Sequence, residues 1–151
     1  MKYLIFLLLS LVALNVKAQQ KEMNAVVNNY LAVKAALANN DGKTAAAKGK
    51  ELLASLNGIH TESAIVSKLQ YDSRHISEVD KVAHQREHFA SLSNNFYELL
   101  KKLKVNSITL YREYCSMTKN YYLTDSQKDK DPYMGMSNCS KVTETLPAYK
   151  N

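Results

Sequence analysis

The chain has 151 residues, 46% of them hydrophobic, with 20 Lys and Arg against 14 Asp and Glu for a net charge of +6. That length bounds one domain, which at this size buries about two-thirds of its unfolded surface and needs no staples to hold a core. The basic excess is mild, and Lys34, Lys43, Lys48, Lys50, Lys68, Lys81 and Lys101 are scattered at helical spacing among polar neighbours, which reads as solvated faces and excludes the basic stripe of a nucleic-acid binder.

Residues 1–18 read as a cleavable signal peptide. Lys2 supplies the positive start, residues 3–14 an apolar run broken only by Ser10, and Val16-Lys17-Ala18 the small residues before a cleavage point at Gln19. The run falls short of the roughly 20 residues of a transmembrane helix, and no later segment approaches it. No cysteine stands near the cleavage point to accept a lipid. The expectation is a periplasmic or secreted protein, not inserted in the membrane after cleavage, with residues 19–151 as a single helical-bundle domain. Lys2 and Lys17 leave with the signal, so that domain carries +4.

The domain opens with a helix over residues 22–39. Met23, Val26, Val27, Tyr30, Leu31 and Leu37 follow a period near 3.6, and Asn39-Asn40-Asp41-Gly42 is a stop and turn. A second helix runs from about Lys43, with Ala45, Ala46 and Ala47 favouring it and Leu52, Leu53 and Leu56 as its buried stripe. Asn57-Gly58 is expected to cap it in the left-handed conformation. Thr61 is placed to cap a third helix that carries Ile65, Leu69 and Ile76 inward. Ser77-Glu78-Val79-Asp80 resembles a capping box, so a fourth helix is expected to start there. In it Val82, Phe89, Phe96 and Leu103 recur every seven residues, joined by Leu92, Leu99 and Leu100, a seam able to close a bundle. Short connections imply antiparallel neighbours. The predicted fold is mainly α, a four-helix up-and-down bundle with a short C-terminal β-hairpin or irregular flap.

The flap begins where the period changes. Ile108, Leu110 and Arg112 alternate with Thr109, Tyr111, Glu113 and Cys115, as in a strand, so Cys115 and Met117 are expected on one face. Tyr121-Tyr122-Leu123 is a second short strand, and residues 124–132 are polar and loop-like. The functional interest lies in Cys115-Ser116-Met117 and Met136-Ser137-Asn138-Cys139, two thiols and two thioethers in short groups. That donor set suits soft ions such as Cu(I) or Ag(I). An isolated cysteine pair in an exported protein also suits a disulfide, which would contribute about 3–4 kcal/mol by closing the intervening loop. The two readings stand side by side.

Three segments together resemble a known family: Gln85-Arg86-Glu87-His88-Phe89-Ala90-Ser91-Leu92-Ser93, Leu110-Tyr111-Arg112-Glu113-Tyr114-Cys115-Ser116-Met117, and Asp131-Pro132-Tyr133-Met134-Gly135-Met136-Ser137-Asn138-Cys139. The chain, from about Ala25 to Leu146, resembles an uncharacterised domain family found as small exported bacterial proteins and as an appended domain on adaptor subunits of copper and silver efflux pumps. The family order is a Gln-Arg-Glu-x-Phe helix, Cys-Pro-Met, Trp-Leu, an Asn-Pro-Tyr-x-Gly turn and Met-x-x-Cys. The resemblance implies Cys115, Met117, Met136 and Cys139 as metal ligands, His88 as a fifth candidate from the helix motif, and a periplasmic efflux adaptor as partner. Ser116 stands for the family's proline, Tyr122 for its tryptophan and Asp131 for its asparagine, and about two residues are missing between Gly135 and Met136.

The remaining chemistry-bearing residues point nowhere else. His84 and His88, four apart on one helix face, have the spacing of a chelating pair, with a boundary position beside Phe89 as the plainer account. His75 suits a helix C-terminal dipole. Tyr111, Tyr114, Tyr121, Tyr122 and Tyr133 fit half-buried strand packing. Neither a Ser-His-Asp order with flanking glycines, nor a phosphate loop, nor a helical Glu-x-x-His pair occurs, so no enzyme is expected. The expected role is a soft-metal module for sequestration or hand-over. A structural or protein-interaction domain with a Cys115–Cys139 disulfide is the alternative.

Overall fold

In a computed structural model the chain forms four helices and then a small sheet: α1 (Lys2–Ala38), α2 (Gly42–Asn57), α3 (Ala64–Glu78), α4 (Val82–Leu103), β1 (Leu110–Cys115), β2 (Asn120–Thr124) and β3 (Ser140–Leu146). The structure describes residues 2–59, 63–137 and 139–149, with side chains from residue 18 onward. The side chains read as an export signal before Ala18, and the cap expected at Thr61, lie outside the described residues. Among the described residues no helix is long and apolar enough to cross a membrane.

The helical periods fix the core. Met23, Val26, Val27, Tyr30, Val33 and Leu37 of α1 are buried against Leu52 and Leu56 of α2, Leu69 and Ile76 of α3, and Phe89, Leu92, Phe96, Leu99 and Leu100 of α4. Consecutive helices pack on one another. Tyr30 is the pivot. Its ring lies 5.2 Å from Phe89 and 4.8 Å from Phe96. Its hydroxyl pairs with Ser93 Oγ at 2.8 Å and accepts the Leu123 amide at 3.0 Å, joining α1, α4 and β2 at a fully buried point.

The helix ends differ from expectation in three places. Gly58 is right-handed, with φ −78°, so Asn57-Gly58 makes no left-handed cap, and Gly58 and Ile59 instead bond back to Ser55 and Leu56. Ser63 caps α3, accepting the Val66 amide at 3.3 Å. No capping box forms at Ser77. The helix α3 runs on through Glu78, Ser77 Oγ donates to the Arg74 carbonyl, and α4 starts after Lys81 without a side-chain cap. Gln85 does the work at this junction. Its fully buried Nε2 reaches the carbonyls of Gly42 at 2.9 Å, Ile76 at 3.1 Å and Val79 at 2.6 Å, covering acceptors that the chain reversal strands in the interior.

The flap is a three-stranded antiparallel sheet of order β2-β1-β3, not a hairpin. Cys115 pairs with Asn120 on one side and Ser140 on the other, and Thr143 is left over where the β1–β3 register shifts between Arg112 and Glu113. The third strand escaped the sequence reading because Ser-Lys-Val-Thr-Glu-Thr-Leu is an edge strand in which Leu146 alone is buried, so no apolar alternation marks it. Side chains tie it to the helices. Tyr97 donates to Glu144, Lys101 donates to Tyr97, and the Arg112 guanidinium lies 3.9 Å from the Tyr97 ring centre and 4.2 Å from that of Tyr121. Lys34, expected on a solvated face, is buried: it donates to Thr124 Oγ1 at 2.9 Å and pairs with Asp129, so α1 grips the loop after β2.

Candidate metal centre

Cys115 closes β1 with its side chain fully buried, and Ser140 opens β3 opposite it. That pairing brings the preceding residue, Cys139, diagonally alongside. The two thiol sulfurs, 24 residues apart in sequence, lie 2.8 Å from each other. The sheet register therefore assembles the pair, without help from sequence proximity.

A tight turn over residues 131–136 supplies the rest. Asp131 Oδ1 accepts the amides of Tyr133 at 2.7 Å and Met134 at 2.9 Å, and Oδ2 accepts Ser140 Oγ at 2.9 Å. The backbone closes the turn through Asp131 N to Met136 O at 2.9 Å and Gly135 N to Asp131 O at 2.8 Å. Gly135 sits at φ +68°, and a Cβ there would lie 2.9 Å from the Ala38 carbonyl oxygen, so glycine is required twice over. Arg86 fastens the turn to the bundle, donating Nε to Pro132 O at 2.7 Å and Nη2 to Leu37 O at 2.9 Å. The Gln-Arg pair of the helix motif thus holds two junctions, Gln85 the helix reversal and Arg86 the sulfur-bearing turn.

Asp131 joins the thiols: one donor atom from each of Cys115, Asp131 and Cys139 lies within 4.8 Å of the others. Beside Cys139 is a hollow of about 40 Å³, lined by Glu113, Tyr122, Asp129, Asp131 and Met136 among others. Its walls carry three carboxylates. Burial pushes the Glu113 carboxyl above its ordinary value against the opposing pull of the Tyr122 hydroxyl that donates to it at 2.5 Å. Burial first, and then the contact with Cys115, raises the Cys139 thiol well above the usual range. The thiol is therefore protonated at neutral pH. In the folded, reduced protein, alkylation of Cys139 is expected to be slower at pH 7 than in the denatured chain. Its rate should keep climbing beyond pH 9, where an ordinary thiol of pKa about 8.5 has levelled off; a pH series read by mass spectrometry measures this.

The five residues singled out in the sequence are divided. Cys115 and Cys139 meet. Met136 lines the hollow beside Cys139 with 49% of its surface exposed. Met117 does not share the strand face of Cys115: β1 ends at Cys115, residues 116–119 turn, and Met117 is 63% exposed. His88 belongs to a separate cluster. It lies between α3 and α4 with His75 and His84, its Nδ1 3.0 Å from Asp72 Oδ1, because Phe89 takes the core-facing position and turns its neighbour toward α3.

Asp131, Glu113 and His75 were missed as site residues. For Asp131 the Asp-Pro-Tyr turn was a signal, since an aspartate that caps its own turn has a fixed carboxylate. For Glu113 and His75 no local signal existed, because each gains its neighbours only through tertiary pairing.

A family model described as Protein of unknown function (DUF3347) matches residues 26–107, more than half of the chain. No curated protein matches the chain, and no solved structure does. The matched stretch holds α2, α3, α4 and the last third of α1, including Gln85, Arg86 and the three histidines, and stops short of the sheet and the thiols. The chain belongs to this family of unknown function.

Proposed function

We propose that this member of the family is a metal-binding module that takes Cu(I) or Ag(I) between Cys115 and Cys139, for sequestration or hand-over. The convergence of two thiols from β1 and the start of β3 carries the reading. Two thiolates select soft ions, and the exposed Met136 thioether at the rim of the hollow is a soft donor on the route in. The Asp131 oxygens are already engaged by two amides and Ser140, so its carboxylate acts as a prop for the turn and a source of negative field, with sulfur as the ligand. An ion with bonds of about 2.3 Å spreads the two sulfurs to about 3.5–4.5 Å. Cys139, half-buried and next to an edge strand, has the freedom to move that far.

The wider setting belongs to the same proposal. The apolar, positively started N-terminal segment supports export to the periplasm or beyond, and the order of the Cys and Met motifs supports a link to a metal-efflux adaptor. The short turn between α1 and α2 supports an up-and-down order of the four helices. The role is carriage of an ion, not catalysis.

Titration of reduced protein with Cu(I) against a chromogenic chelator is expected to give one tightly held ion per chain and a raised melting temperature. An unchanged melting temperature at excess Cu(I) would overturn the proposal. The conservative variant Asp131→Asn keeps an acceptor for the turn amides and removes the charge, and should weaken Cu(I) by about tenfold, the low end for an outer group.

The same sulfur proximity favours a second reading, in which oxidation joins Cys115 to Cys139 and staples the turn to β1. Mass measurement after thiol blocking, with and without reduction, separates the two: blocked thiols without metal support the staple.

A further inference from the structure

A second cluster of donors lies away from the thiols, on the helices. His84 and His88 are one turn apart on α4 and His75 faces them from α3. One ring nitrogen of each lies within 4.8 Å of those of the other two. The His75 and His88 rings are stacked at 4.6 Å with planes 8° apart, and His84 meets His88 edge-on at 4.9 Å.

A carboxylate stands by each ring. Asp72, itself buried, has Oδ1 3.0 Å from His88 Nδ1; Glu87 is 3.5 Å from His84 Nδ1, and Glu78 is 3.9 Å from His75 Nδ1. A carboxylate only accepts, so the contact with Asp72 places the hydrogen on His88 Nδ1 and leaves the lone pair on Nε2. That is the carboxylate–imidazole arrangement that orients metal-binding histidines.

We propose that His75, His84 and His88 form a binding site for a borderline divalent cation such as Zn²⁺, with Asp72 orienting His88 and water or an incoming donor completing the shell. Nitrogen ligands fit this class of ion, where the thiol pair selects soft monovalent ones. With bonds of about 2.0–2.1 Å, a tetrahedral ion needs its nitrogens about 3.3 Å apart. The rings must therefore close by no more than about 1.5 Å from their present spread of up to 4.8 Å. His75 and His84, with 33% and 41% of their side chains exposed, have room to rotate, while the 18%-exposed His88 is the fixed member. The site shares no residue with the thiol centre, so the two proposals stand or fall separately.

The test is Zn²⁺ titration of the full chain carrying Cys115→Ser and Cys139→Ser, which removes competing thiolates, followed by calorimetry. One Zn²⁺ per chain is expected, with affinity at least tenfold weaker when His84→Ala is added; His84 is a surface residue whose loss leaves the core intact. Imidazole nitrogen spectra of the otherwise unaltered, reduced chain give a readout independent of folding in the variants, and the signals of His75, His84 and His88 should shift together on Zn²⁺ addition. Three imidazole signals unmoved at saturating Zn²⁺, or an affinity within twofold of the parent after His84→Ala, would overturn the site.

Discussion

The Cys139→Ser variant is expected to lose Cu(I) by at least about 100-fold while keeping its fold. Serine replaces a polarizable thiolate by a hard hydroxyl of similar size, so a soft ion loses one of two strong bonds and Cys115 alone cannot hold it. The folded state loses little. Cys139 is half-buried, precedes an edge strand, and its hydrogen-bond partners Cys115 and Ser140 tolerate a hydroxyl. The melting temperature of the metal-free variant should therefore stay within a few degrees of the parent, and its rise on adding Cu(I) should vanish. A variant that still binds one ion with parental affinity in a chelator competition would remove Cys139 from the centre.

Tyr30→Ala should produce the largest loss of stability in the molecule. The ring is fully buried against Phe89 and Phe96, and large-to-small changes of an aromatic core residue typically cost about 3–5 kcal/mol. The deletion also leaves the Leu123 amide and Ser93 hydroxyl without their buried partner, adding about 1–3 kcal/mol. A fall in melting temperature of more than about 10 °C follows for a domain of this size. Tyr30→Phe separates the two contributions. It keeps the packing and removes only the hydroxyl, so it should lose about 1–3 kcal/mol, and because Leu123 lies in β2, amide exchange in the sheet should quicken more than in α2. Thermal melts and hydrogen exchange of the two variants measure this.

The helices were legible because their information is periodic and local. Phe89, Leu92, Phe96 and Leu99 announce a buried face at the spacing of a helix, and that face is what the core uses. The ends were less legible. Ser77 has the composition of a cap yet sits inside α3, since Gln85, nine residues beyond Ile76, satisfies the junction carbonyls from across the reversal. Lys34 looked like one solvated lysine among several and is instead sealed under Asp129, a partner 95 residues away. The thiol pair was half legible. Composition and the expected export marked Cys115 and Cys139 as belonging together, while the strand that aligns them, β3, is too polar to show itself. Met117 was misplaced because strand alternation was carried one turn too far. His75 was unreadable as a donor, since only the packing of α3 on α4 sets it against His84 and His88.

The dimensions of the hollow beside Cys139 have a kinetic corollary. At about 40 Å³ it accommodates one or a few water molecules and nothing as large as an amino acid. A bulky thiol reagent can approach the half-buried Cys139 only from outside the hollow, whereas a species of water's size can also enter it. Chemical probes graded by molecular width should therefore react more slowly with Cys139 as they widen, a probe no wider than water being the least affected.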